Sequence, residues 1–214
     1  MIKPKSSAVS LQGYRPPTEG RKNSLRLDFN ENTSGCSPSV IKALRRATRE
    51  FLSSYPEYGN LRKELAKYCN VDPEQVIPTN GTDEAIKAIT ETYIETGKEG
   101  MVIPVPTYAM FTFYAQLNGA KIREIPYNGD LSFPTEDVIR AIDNRTKIVV
   151  LVNPNNPTGT SIEEPDILRI LEKANSNDAL VLMDEAYAQF SGKTSIPLIN
   201  RFDNLFITQT FSKA

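Results

Sequence analysis

IVVLVNPNNPTG, residues 148–159, opens on five aliphatic residues in a row and closes on two Asn–Pro steps and a glycine. The unbroken run Ile148–Val152 marks a strand buried on both faces, as in a parallel sheet. The loop behind it is stiff, and its asparagine amides are donors held at the strand's carboxyl end. A simple turn needs far less specification, so the loop reads as functional.

Outward from that strand the pattern alternates. Val76–Thr79, Met101–Pro104, Lys121–Pro126, Ala179–Met183 and Leu205–Thr210 read as further strands. Apolar residues at helical spacing predict helices from Gly81 through Tyr93, from Thr107 to Asn118, near Pro134–Asp143 and across Ile167–Ala174. Upstream, one helix is expected from Ser37 to Phe51, carrying Val40, Ile41, Leu44 and Ala47, and another from Leu61 to Cys69. Leu25–Phe29 reads as a short strand in an opening rich in Pro, Gly, Ser and charge. The organisation expected is an N-terminal arm or part of a small domain, 1–36, followed by a large domain, 37–214. Strands separated by amphipathic helices predict an α/β fold, a mostly parallel sheet with helices on both faces. In such sheets ligands sit beyond the carboxyl ends of the strands.

Several of those ends carry polar chemistry. Thr79-Asn80-Gly81-Thr82-Asp83-Glu84 follows the first strand. A glycine before a helix lets backbone N–H groups approach an anion, and Thr82 adds a hydroxyl. The same residues also read as plain capping, with Asp83 and Glu84 suiting the first turn. Tyr108, after the second strand, is placed either to stack on a flat ring or to pack its own helix. Asp184 stands directly behind the apolar run Leu180–Met183, where a carboxylate is costly unless it meets a cation or a strong donor. Tyr187 lies three residues on. The last strand delivers Thr210-Phe211-Ser212-Lys213, and one lysine among 25 basic residues carries no meaning by itself.

Composition narrows the chemistry. The 214 residues are 39% hydrophobic and 24% charged, ordinary for a soluble globular protein. A net charge of −1, with both signs mixed along the chain, gives no reason to expect nucleic acid or an anionic membrane as partner. No apolar run approaches the ~20 residues that span a bilayer, and MIKPKSSAVSLQGYRPP lacks a secretory pattern. Cys36 and Cys69 are isolated and read as inert thiols of a reducing compartment, the cytoplasm. There is no histidine, which excludes a Ser–His–Asp triad, a Cys–His pair and most zinc chemistry. Proton transfer is left to Lys, Tyr, Asp, Glu or a cofactor.

NPNNPTG, then DEAYxxF from Asp184 to Phe190, then TFSKA, in that order, resemble the pyridoxal-phosphate (PLP)-dependent aminotransferases of fold type I. The resemblance runs through residues 25–214. LDFNEN (Leu27–Asn32), YPE (Tyr55–Glu57), NGTDE and PTYAMF (Pro106–Phe111) are similar to histidinol-phosphate aminotransferase. By that resemblance, the cofactor is pyridoxal 5'-phosphate and Lys213 forms the internal Schiff base, then moves the proton during transamination. Asp184 would face the pyridinium nitrogen, Asn156 and Tyr187 the phenolic oxygen, and Tyr108 the ring face. The phosphate would rest on the backbone of Thr82 and Asp83, with the hydroxyls of Thr210 and Ser212. Tyr55 would reach the phosphate in a neighbouring subunit, which implies a homodimer. Asn30 and Tyr14 would face an amino-acid or oxo-acid substrate, with glutamate and imidazole-acetol phosphate as the expected pair.

Two expectations follow from where the family pattern continues past Ala214. Members carry a further phosphate-gripping Arg and a C-terminal small domain with a carboxylate-binding Arg. Their next strand also enters the sheet beside the first strand. The large domain is therefore expected to be incomplete, with unpaired interior strand edges, and the chain to be inactive alone. An aromatic aminotransferase, a threonine-phosphate decarboxylase and a non-catalytic remnant remain alternatives. A nucleotide-binding domain is disfavoured by the absence of GxGxxG and GxxxxGK[ST].

Overall fold

The computed structural model describes residues 2–9, 11, 19–95, 97 and 100–213. Tyr14 lies outside them. The chain divides into two compact units, one of residues 1–19, 80–212 and 214, the other of residues 20–79 with Lys213.

In the larger unit, the single turn Ser6–Val9 (α1) is fastened by Ser7 Oγ, which donates to the Leu117 carbonyl at 2.9 Å. In the smaller unit, Pro38–Leu44 (α2), Arg49–Ser53 (α3) and Gly59–Cys69 (α4) are the helices. The single helix expected across 37–51 is thus two. Thr48 stops it: its Oγ1 accepts from the Phe51 N–H at 3.1 Å and starts α3 afresh. Val40, Ile41, Leu44 and Phe51 are exposed, so no packing overrides that local preference. Residues 76–79 form no strand, because an extended segment becomes one only by pairing, and none of the described residues pairs with it. Residues 25–29 form none either. There Arg21 is the organiser: it binds Asp28 and Glu31, each at 2.9 Å, and stacks 4.3 Å from the Phe29 ring centre.

The larger unit continues with Gly81–Tyr93 (α5) and Gly100–Val105 (β1), then Ala109–Leu117 (α6) and Lys121–Pro126 (β2). Thr135–Ala141 (α7), Thr146–Val152 (β3), Glu164–Asn175 (α8) and Leu180–Asp184 (β4) follow. The turn Ala188–Ser191 (α9) precedes Leu205–Thr208 (β5). The five strands lie in the order β2-β1-β3-β4-β5, every pair parallel. Alternate side chains of the central strands go to opposite faces. Val149, Leu151, Val181 and Met183 pack with Ile167, Ile170 and Leu171 of α8 and Val138 of α7. Ile148, Val150, Val152 and Leu182 pack with Ile86 of α5 and Phe111 and Ala115 of α6. Both faces are covered, which is why these strands are aliphatic throughout. This is the α/β architecture the alternation predicts.

The outer strand β2 is tied down electrostatically. Arg123 donates to Asp143 at 2.7 Å and to the carbonyl of Ala141, the last residue of α7. That guanidinium holds the Asp143 carboxyl well below the usual carboxylate range. The pair is about one-third exposed, so Arg123→Ala is expected to cost only about 1 kcal/mol at neutral pH. A depressed carboxyl stabilises the fold above its unfolded value and loses that contribution as pH falls through its folded one. The gap between variant and wild type in urea midpoints is therefore expected to close in strong acid. A gap independent of pH would contradict the pairing.

Candidate functional site

β1 and β3 are neighbours, yet the chain leaves them on opposite faces, through α6 and α8 respectively. A crevice opens at the carboxyl ends of such a pair. Around it stand the loops 106–108 and 153–160, the start of α5 and the end of β4.

Asp184 closes β4 and is 3% exposed. Its Oδ1 accepts from Thr208 Oγ1 and from the Ala186 N–H, both at 3.1 Å. Its Oδ2 accepts from none of the described residues. Burial pushes this carboxyl up to about 6, against the pull of those two hydrogen bonds, and the charges of Asp83 and Glu185 push the same way. Buried acid, one oxygen without a donor and acidic neighbours together favour a cation or a charged N–H at Oδ2.

Glu185 is fully buried and sits beside it. Its carboxylate accepts from the Thr194 hydroxyl at 2.6 Å, the Ser195 N–H at 2.5 Å and Gln209 Nε2 at 2.9 Å. The Glu185 N–H also donates to the Thr208 carbonyl at 2.8 Å. The ends of β4 and β5 are thereby fixed to each other and to the 194–195 turn. Sequence reading passes over Glu185, whose only local signal is that of a second acid behind an apolar strand.

Tyr108 precedes α6, and its hydroxyl donates to Asp83 Oδ1 at 2.9 Å, in the first turn of α5. The aromatic residue and the helix start are thus one assembly. Gly81 begins α5 at φ +73°, a conformation that favours glycine, and the Asn80 side chain makes no cap bond. The N–H groups of Thr82 and Asp83 lie at the positive end of this 13-residue helix, suited to an anion.

Asn156 is half-buried, and its amide makes no hydrogen bond among the described residues. Tyr187 is half-buried, its ring 6.4 Å from that of Phe190. Thr210 Oγ1 and Ser212 Oγ lie 2.8 Å apart, two hydroxyls presented together past β5. In the other unit, Lys213 Nζ donates to the Phe29 carbonyl at 2.6 Å, Asn30 is exposed at φ +51°, and Tyr55 is 99% exposed.

An acid suited to a charged N–H, an aromatic and a half-buried amide, and a helix start suited to an anion match a flat, cationic ring bearing an anionic group. Among the described residues no group of acids and cysteines could hold a metal ion, and no helix is long and apolar enough to cross a membrane.

Residues 22–214 match the family described as aminotransferase class I and II. Histidinol-phosphate aminotransferase of Caldanaerobacter subterraneus subsp. tengcongensis is 37% identical over 193 residues, 88% of this chain and 54% of that protein. The structure of the histidinol-phosphate aminotransferase from Clostridium acetobutylicum superposes with a TM-score of 0.76 at 25% identity, covering 86% of this chain and 55% of that one. That of histidinol-phosphate aminotransferase from Sinorhizobium meliloti, in complex with pyridoxal-5'-phosphate, gives 0.79 over all of this chain and 60% of that one. At 23% identity this last likeness is one of fold. The chain spans a little over half the length of these relatives.

Proposed function

We propose, because this chain belongs to the class I and II aminotransferases, that it is the cofactor-holding portion of a pyridoxal 5'-phosphate-dependent transaminase of histidine biosynthesis. The observation that carries the reading is Asp184, a buried carboxyl with one oxygen left for a charged ring N–H. The proposed reaction passes an amino group between glutamate and imidazole-acetol phosphate, in either direction. Its support is the similarity, over 88% of the chain, to a relative bearing that name.

When bound, pyridoxal 5'-phosphate supplies an aldehyde carbon that bonds to amines and a ring that accepts electron density from the substrate. Lys213 would be the amine that holds it, and the same amine would hold and move the proton at the substrate carbon. Asp184 keeps the ring nitrogen protonated. Asn156 and Tyr187 donate to the phenolic oxygen, and Tyr108 covers the ring face. The N–H groups of Thr82 and Asp83 and the hydroxyls of Thr210 and Ser212 take the phosphate. In a homodimer, Tyr55 reaches the neighbouring subunit's phosphate. Asn30 would face the substrate, and the cytoplasm is the proposed compartment.

The test is to add pyridoxal 5'-phosphate to the chain, reduce with borohydride and map the modified peptide by mass. The adduct is expected on Lys213. A homogeneous adduct on another lysine would overturn the site, and its absence from every lysine would overturn the reading.

A further inference from the structure

Asn155 has no role in the scheme above, yet it is buried and its amide is fully engaged. Nδ2 donates to the Pro106 carbonyl at 2.9 Å and to Thr158 Oγ1 at 2.9 Å. Oδ1 accepts from Thr107 Oγ1 at 2.8 Å. Two of these three bonds cross from the loop after β3 to the loop after β1, the neighbouring strands whose connections part to opposite faces. That is where a crevice has no continuous backbone holding its walls together. One wall leads directly into Tyr108, and the other carries Asn156 as the next residue.

We propose that Asn155 is a positioning residue: its amide braces the two walls of the crevice and sets the spacing between Tyr108 and Asn156. A carboxylate or a hydroxyl could not replace it. Only an amide both donates to the Pro106 carbonyl and accepts from the Thr107 hydroxyl while also donating to Thr158. The neighbouring backbone strengthens the brace. The Asn155 N–H donates to the Thr160 carbonyl, and the Asn155 carbonyl accepts from the Gly159 N–H at 2.8 Å, so the loop moves with the side chain. The consequence for the cofactor rests on the function proposed above. The brace itself does not.

Hydrogen–deuterium exchange of the chain without cofactor tests the brace. In Asn155→Ala, peptides covering 105–112 and 153–162 are both expected to exchange about tenfold faster, the change that a net loss of about 1.4 kcal/mol of local stability produces. Thr158→Val, which removes only bonds within one loop, those from Asn155 Nδ2 and the Thr160 N–H, is expected to affect 153–162 alone. Should Asn155→Ala fail to fold, Asn155→Asp serves. It keeps an acceptor for Thr107 but sets an oxygen against the Pro106 carbonyl, so 105–112 is expected to loosen first. Faster exchange confined to 153–162 in both variants would overturn the brace.

The second readout is the bound chromophore after pyridoxal 5'-phosphate is added. In Asn155→Ala its circular dichroism is expected to weaken, and the pH midpoint of its absorbance change to rise by about one unit as the Asn156 hydrogen bond is lost. An unchanged band and midpoint would overturn the positioning role while leaving the assignment of Lys213 intact. If the wild type forms no adduct, the proposed function falls, and exchange alone decides the brace.

Discussion

Asp184→Asn is expected to make the cofactor-free chain more stable at pH 8 and, at the same time, to weaken its hold on pyridoxal 5'-phosphate. The first half follows from burial. The carboxyl is raised from its ordinary 3.8 to about 6 in the folded chain. Below pH 4 it is protonated both folded and unfolded, and its burial carries no charge penalty. As pH climbs from about 4 through about 6 the unfolded chain ionises it freely while the folded chain resists. At about 1.4 kcal/mol per tenfold change in acidity, roughly 3 kcal/mol of stability is lost by pH 7. Asparagine has no such charge. Its extra N–H donor, lacking a partner, returns part of the gain, leaving about 1–2 kcal/mol, or about 2–8 °C in Tm for a chain of this size. The second half has the opposite sign, because removing one partner of a buried, hydrogen-bonded charge pair costs about 2–5 kcal/mol, at least 30-fold in retention of the cofactor. Thermal unfolding across pH 4 to 8 and equilibrium binding at pH 8 read the two halves separately. If wild type and variant share the same pH dependence of Tm, Asp184 ionises without penalty and the argument for a charged N–H at Oδ2 fails.

What is legible in the sequence, and what is hidden there, divides by range. β2 falls at Lys121–Pro126, the span its apolar pattern predicts, and α8 brackets Ile167–Ala174. Those elements are set by local periodicity, which one stretch of chain carries in full. Two-sided burial of Ile148–Val152 is readable for the same reason, since no residue in the run is polar. Val76–Thr79 has an equally extended look but is not a strand, because strand formation is a property of a pair. The 37–51 helix fails at Thr48, whose side chain caps α3 where no buried contact opposes it.

The candidate site shows the same division. Asp184, Tyr108 and Asn156 stand out because each follows a strand, and a strand's end is where an α/β sheet keeps its ligands; Lys213 is picked out only by the family resemblance. Glu185 and Asn155 do not. Their partners lie 24 and 48 residues away, Gln209 and Thr107 respectively, and nothing local distinguishes a braced amide from a turn-forming one. Tyr108 reads as stacking or packing. Its hydroxyl on Asp83 adds a third task that only the folded chain reveals.

Lys213→Ala is expected to abolish the borohydride-stable adduct outright, because only an amine condenses with the aldehyde to an imine that borohydride can fix and no other lysine belongs to the proposed site. The same substitution removes the donor to the Phe29 carbonyl, a half-exposed hydrogen bond whose loss is expected to cost no more than about 1 kcal/mol. The two effects therefore differ in kind: a chain that melts nearly as before but carries no adduct. Lys213→Arg sharpens the distinction. Its guanidinium can still donate to a carbonyl, yet it stays protonated and cannot attack, so it too is expected to give no adduct. Adduct mass and unfolding midpoint, measured on all three chains, decide the matter. An alanine variant that still yields a single, stoichiometric adduct would place the reactive amine elsewhere, and the roles assigned to Asp184 and Asn156 would then have no aldehyde to serve.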